Sequence, residues 1–250
     1  MSSNKKIIAI ASGKGGVGKT WLTTTIASLL ANSGRKVLVF DGDIGLANVD
    51  VQLGISPDID LSHVFSGKAS LKQAVIEYKP GKFDVIAGRS GSGSLHSIRP
   101  ERIAELEVEL EALAKDYDFI LLDLGAGVET QVQALAKLAK KCLVVITDEP
   151  TSLTDAYAFI KILRMWGHAA PEVEVVVNMA ENAREGMKTF GAIKNACETF
   201  LKFAPKLTGV IRKDPKVKRT IQQQKPLLET APRTIAVADV AALTAKLMSK

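Results

Sequence analysis

The chain has 250 residues, 46% of them hydrophobic and 24% charged, with a formal net charge of +6. That length and balance exclude disordered and fibrous classes and lead us to expect one α/β domain over residues 1–250 rather than two. No apolar run approaches a membrane span, Ile7–Ala11 is too short for a signal peptide, and two cysteines (Cys142, Cys197) and three scattered histidines lack metal-ligand spacing, so a reducing cytoplasm is the expected setting.

The apolar run Ile7–Ala11 reads as a buried strand, and Leu22–Ala31 has helical spacing with no Gly or Pro inside. Between them lies Ser12 to Thr20, S-G-K-G-G-V-G-K-T. Strand, glycine loop and helix together make the G-x-x-x-x-G-K-[ST] pattern a nucleotide-site prediction. Gly13, Gly15, Gly16 and Gly18 allow the backbone N–H groups around Val17 to turn inward toward phosphate oxygens. The helix start adds its positive dipole end. Lys19 is expected to reach the β- and γ-phosphates, and the Thr20 hydroxyl to sit on Mg²⁺. Lys14, inside the loop, is not required by the general pattern.

Lys36–Asp41 reads as the second strand, followed by Asp43 and the phrase I-G-L-A-N-V-D. Two carboxylates two residues apart, just past a strand, are suited to hold a metal-bound water and an attacking water. Phe83–Ala87 is a further strand, and Arg89 to Ile98 is a Ser-Gly-rich loop. Arg99–Lys115 has helical spacing. The strand Phe119–Asp123 places an aspartate at its end, as in a Walker B strand that binds Mg²⁺ through water. Gly125 and Gly127 would permit close turns in a loop that responds to the γ-phosphate.

Thr130–Ala139 reads as a helix and Cys142–Thr147 as a strand. After T-D-E-P-T-S-L-T-D-A-Y, with Ser152 as a candidate N-cap, the helix Leu153–Trp166 follows. Val173–Asn178 and Leu207–Ile211 are strands around the helix Arg184–Phe203. Asp214 and Pro215 look like an N-cap and first residue of another helix. Ile235–Met248 closes the chain as a helix whose alanine-rich apolar face favours packing over membrane anchoring. Continuous apolar strands alternating with helices predict a doubly wound, mostly parallel α/β sheet, with ligands at the carboxyl ends of its strands. The charge is uneven: from Arg184 onward there are 14 Lys/Arg against 5 Asp/Glu. Such a basic quarter can meet nucleic acid, anionic lipid or an acidic partner, or simply form a solvated surface.

K-G-G-V-G-K-T resembles the deviant Walker A box of the MinD/ParA family of P-loop ATPases, and D-G-D-I-G-L-A-N-V-D resembles its switch I region. The resemblance implies a SIMIBI-type P-loop NTPase fold, with ATP and Mg²⁺ as cofactors. By it, Lys14 crosses a homodimer interface to the partner's phosphates, Asp41 and Asp123 support Mg²⁺ with Thr20, and Asp43 orients the hydrolytic water. Asn48 and Asp50 would shape the dimer face, and Glu149 and Asp155 would join contacts across it. Asn178 would read adenine, with Arg212 and Asp214 in a late segment near the base. D-E-P-T-S-L-T-D-A-Y is similar to a segment of the FlhG/FleN branch, implying control of flagellar number by an ATP-dependent dimer whose slow hydrolysis a protein partner stimulates. The location implied is cytoplasmic, with a peripheral place at the inner membrane or cell pole. A partitioning ATPase that binds nonspecific DNA, a division-site ATPase on anionic membrane, a metabolic relative, and a regulator that binds ATP without hydrolysing it are the alternatives.

Overall fold

The computed structural model describes residues 7–43, 47–88 and 100–249. β1 (Ile7–Ser12) leads through the glycine loop into α1 (Lys19–Asn32), and β2 (Val37–Gly42) follows. Two short helices, α2 (Val49–Leu53) and α3 (Leu61–Phe65), precede β3 (Ile76–Tyr78) and β4 (Phe83–Ile86). α4 (Pro100–Leu113), β5 (Phe119–Ala126), α5 (Thr130–Lys137), β6 (Lys141–Ile146) and α6 (Pro150–Met165) then alternate. The last part holds β7 (Glu172–Ala180), α7 (Ala183–Leu201), β8 (Lys206–Arg212), α8 (Pro215–Gln222), α9 (Leu227–Thr230) and α10 (Ile235–Met248).

The eight strands form one sheet in the order β3-β4-β2-β5-β1-β6-β7-β8. Every pairing is parallel except the antiparallel β3–β4 edge. Because side chains alternate along a strand, β1 feeds two cores. Ile7, Ala9 and Ala11 face the side covered by Leu110 of α4, Leu135 of α5, Phe159 of α6 and Ile193 of α7. Ile8 and Ile10 face the side covered by Leu22 and Ile26 of α1 and by Val240 and Leu243 of α10. Both faces are dry, which is why the central strands read as unbroken apolar runs.

Several boundaries differ from those read in the sequence. β5 does not end at Asp123 but continues to Ala126, and β7 passes Asn178 to Ala180. In β7 the turn past Asn178 is taken by Met179 at φ +57°, where the register with β8 also shifts. α6 begins at Pro150 with Glu149 before it, so Ser152 is not the N-cap. It sits inside the helix, and its Oγ accepts from the Thr147 N–H at 3.0 Å. β3 escaped the sequence reading because three residues on an edge carry too little pattern to detect. Asp214 does cap α8, accepting from the Lys216 N–H, with Pro215 in the first turn.

α10 packs against β8 and α1. Val237, Val240, Leu243 and Leu247 are buried there, while Ile235 is exposed. Leu243 is 1% exposed and lies against Gly209 of β8, 3.3 Å from where a Cβ would stand. No helix among the described residues is long and apolar enough to cross a membrane. Leu243→Ala should lower unfolding free energy by about 3 kcal/mol in urea titration. A loss within error of zero would show that α10 is not part of the core.

Candidate functional site

The loop between β1 and α1 is held by contacts that leave no room for side chains at two glycines. A Cβ on Gly13 would stand 2.2 Å from the Asp155 carbonyl carbon, so the first turns of α6 rest directly on the loop. A Cβ on Gly18 would stand 2.5 Å from Asn178 Nδ2, and Gly18 is also left-handed at φ +88°. Val17 is buried, and its carbonyl accepts from Asn178 Nδ2 at 2.8 Å.

Lys19 is buried and donates to Ser12 Oγ at 2.9 Å, while Ser12 Oγ donates to the Lys14 carbonyl at 2.6 Å. Burial lowers the Lys19 pKa from its ordinary value, and the nearby Asp123 and Asp43 oppose that shift. Lys14 turns the other way: its ammonium is paired with Glu149 and donates to Thr151 Oγ1 at 2.9 Å.

The sheet register sets Asp41 of β2 opposite Asp123 of β5. Both are fully buried. Asp123 accepts from the hydroxyls of Thr20 at 2.6 Å and Thr23 at 3.0 Å. Asp41 accepts from the backbone N–H groups of Asp43, Asn48 and Val49 at 3.1–3.2 Å. Burial, reinforced by Asp123, pushes the Asp41 carboxyl up to about 8. Burial also raises Asp123 to about 6, although the Thr20 hydroxyl, Lys19 and Thr23 pull it down. Asp43 is half-buried beside Gly125, whose would-be Cβ lies 3.2 Å from Asp43 Oδ1.

The Thr20 hydroxyl lies 2.6 Å from Asp123 Oδ2 and 2.7 Å from Asn48 Oδ1. One hydroxyl proton cannot serve both oxygens at once. This corner is rich in hard oxygens, a donor set that fits Mg²⁺. Among the described residues, no three His, Cys, Asp or Glu side chains are grouped to hold a metal by themselves. Mg²⁺ sites need no such cage, because phosphates and waters complete them.

An open cleft of about 540 Å³ lies over this corner, lined by Gly16, Gly18, Lys19, Thr20, Trp21, Asp43 and Asn48, and beyond them by Val51, Met179 and Ile221. The structure therefore brings Lys19, Thr20 and Asp43 to one opening, with Asp41 and Asp123 buried beneath it. It does not bring Arg212 there: its guanidinium is clasped by Asp239 of α10, at 2.6 Å from Nη2. Asp214 is occupied as the cap of α8, and Asp50 accepts from the Val51 N–H. Asn178 gives one N–H of its amide to the Val17 carbonyl, and that bond leaves the second N–H and Oδ1 uncommitted. The Ser-Gly-rich loop of residues 89–98 and residues 44–46 of the second phrase lie outside the described residues.

Ser12, Thr23 and the Asn48–Thr20 contact were not found in the sequence reading. A signal for Thr23 was present, since a hydroxyl one helical turn after Thr20 shares its face. Ser12 and Asn48 acquire their partners only through folding.

Comparison with known proteins agrees with this geometry. The sequence profile of the family described as "CobQ/CobB/MinD/ParA nucleotide binding domain" matches residues 8–227. The chain is 36% identical over 231 residues to the antiactivator FleN of Pseudomonas aeruginosa, covering 92% of this chain and 82% of that one. It is 34% identical over 248 residues to the flagellum site-determining protein YlxH of Helicobacter pylori, covering 99% and 83%. Among solved structures, a chain of the MinC:MinD cell division protein complex of Aquifex aeolicus superposes with a TM-score of 0.81 at 28% identity, covering 98% of this chain and 96% of that one.

The raised carboxyls have a measurable consequence. The folded chain retains protons on Asp41 and Asp123 that the unfolded chain releases near pH 4, so their contribution to stability is full below about pH 4 and is lost as pH rises to about 8. Thermal unfolding in chelator, without nucleotide, should show stability falling across that window. Asp41→Asn, which carries no such proton, should show a shallower fall. Parallel pH profiles for the two proteins would contradict the coupling.

Proposed function

The chain belongs to the CobQ/CobB/MinD/ParA family of nucleotide-binding domains, and from that premise we propose that it is a Mg²⁺-dependent ATPase working as an ATP-controlled dimer switch in flagellar number or placement. The observation that carries the proposal is the meeting of Lys19, Thr20 and Asp43 at one cleft, above the buried pair Asp41 and Asp123. The flagellar assignment draws on the likeness to FleN and YlxH.

When bound, Mg²⁺·ATP would supply the transferable phosphoryl group and a cation that neutralises its charge. The chain's own residues do the rest. The loop N–H groups and the start of α1 hold the phosphates, and Ser12 keeps Lys19 aimed along the loop. Thr20 would hold the cation and Asp41 and Asp123 would support it through water, which would favour their ionised forms. Asp43, at the cleft wall, orients water. Lys14 leaves Glu149 and Thr151 and reaches the phosphates of a second subunit, so that nucleotide completes the dimer and hydrolysis loosens it. Turnover is slow until a protein partner stimulates it. The dimer works in the cytoplasm, peripherally at the inner membrane or cell pole.

A second reading, nonspecific DNA binding, is favoured by one feature. Lys216, Arg219 and Arg233 line a cleft of about 450 Å³ with no acidic side chain in its wall. If DNA binds there, affinity should appear only with ATP and fall steeply with salt.

Solution mass tests the main reading. Asp43→Ala should be dimeric with ATP and monomeric with ADP, and Lys14→Ala should stay monomeric with either. One mass for Asp43→Ala in both nucleotides, or a Lys14→Ala protein that dimerises and hydrolyses normally, would remove the switch.

A further inference from the structure

Trp21 follows Thr20 on α1 and is only 5% exposed. Its Nε1–H is one of three buried side-chain groups without a hydrogen-bond partner among the described residues, with Arg102 Nε and Thr147 Oγ1. Arg102 has other nitrogens engaged, on Glu105 and the Val64 carbonyl, whereas the indole has a single donor. A buried N–H left unpaired is unfavourable and rare, and it points to an acceptor that folding alone does not supply.

The indole stands between two spaces. One is the open cleft above the glycine loop. The other is a small pocket of about 20 Å³, walled in part by Thr24, Thr25, Ser28 and Tyr78. Thr24 and Thr25 already donate to backbone carbonyls within α1.

The cleft wall is chemically mixed. Lys19 and Thr20 make one part of it cationic and polar. Elsewhere in the wall, among Gln52, Gln222 and Gln224, three apolar side chains remain exposed: Val51 at 53%, Met179 at 41% and Ile221 at 36%. Met179 also has φ +57°, an uncommon conformation for a residue with a Cβ and one that recurs at ligand sites. A ligand that fills such a cleft carries both charge and a flat apolar group. Between phosphates and base a nucleotide carries its sugar, and Trp21 lines the same cleft directly after Thr20 in the chain.

We propose that Trp21 is a specificity-determining residue, whose indole N–H donates to a sugar hydroxyl oxygen of the bound nucleotide while Met179 and Ile221 cover its base. This rests on the reading of the cleft as an ATP site. It assigns to Trp21, one residue beyond the phosphate loop, the recognition of the nucleoside end.

Titration calorimetry of the full chain with Mg²⁺·ATP, its 2′-deoxy and 3′-deoxy forms, and Mg²⁺·tripolyphosphate tests the proposal. The wild type should bind one deoxy form about fivefold more weakly than ATP, the worth of one neutral hydrogen bond. Trp21→Phe should lose about the same factor for ATP, cease to discriminate the deoxy form, and bind tripolyphosphate as the wild type does. Unchanged ATP affinity in Trp21→Phe would mean that the N–H serves a water in the small pocket, and would overturn the proposal. Equal weakening of all four ligands would overturn it too, as a structural effect. A second measurement keeps Trp21 in place: Trp166→Phe leaves it the sole tryptophan of the two in the chain. Its emission should respond to ATP and not to tripolyphosphate, and identical responses would count against the sugar contact. A wild type that binds neither ligand would remove the ATPase reading as well, whereas binding without discrimination removes this inference alone.

Discussion

Two carboxylates lie side by side in the middle of a dry sheet, Asp41 on β2 and Asp123 on β5. Like charges on adjacent strands, each out of reach of water, would be prohibitive if both were ionised and unsupported. The surrounding elements meet that constraint. α1 runs beside β5 so that Thr20 and Thr23 donate to Asp123. α2 starts beside β2 so that its first N–H groups, with that of Asp43, donate to Asp41. The glycine loop delivers Lys19 to the same corner. With no cation present the pair is held partly protonated, and a divalent ion would replace those protons.

α2 carries this corner's arrangement outward. Its Asn48 cap meets Thr20, Gln52 donates to Thr24, and the Val51 carbonyl accepts from Gln224 just past α8. Gly54, left-handed at φ +66°, lets Gln224 come this close, because a Cβ there would meet it at 3.2 Å. The short helix thus spans the cleft from the carboxylate corner to the wall that Ile221 lines. A ligand that draws Thr20 from Asn48 acts on one end of this span.

On the other side of the loop, α6 does two jobs. Its backbone at Asp155 presses on Gly13, and Glu149 and Thr151 at its start hold Lys14. The Lys14–Glu149 pair is substantially exposed, and pairs of that kind contribute about 0–1 kcal/mol. The loop is clamped firmly by backbone packing, while Lys14 is tethered weakly. This contrast suits the movement of Lys14 to a second subunit proposed above, which would leave the glycine loop undisturbed.

The sequence by itself determined the elements whose causes are local. Strand, glycine loop and helix follow from an apolar run, residues able to adopt positive φ, and a helical stripe, all within about 25 residues of one another. The parallel α/β class follows from unbroken apolar runs, which only strands covered on both faces tolerate. The α8 cap was legible because Asp-Pro acts on its immediate neighbours. Tertiary structure alone decided what depends on register and packing across long separations. Asp41 opposite Asp123, Asn178 on the Val17 carbonyl, and Arg212 clasped by Asp239 each join residues brought together by the sheet or the helices on it. Strand ends were decided there as well: β5 continues past Asp123 because its neighbours β1 and β2 extend beside it, not because of any signal in its own residues. Side chains such as those of Arg212 and Trp21 have several possible partners in an isolated chain, and the packed neighbours select among them.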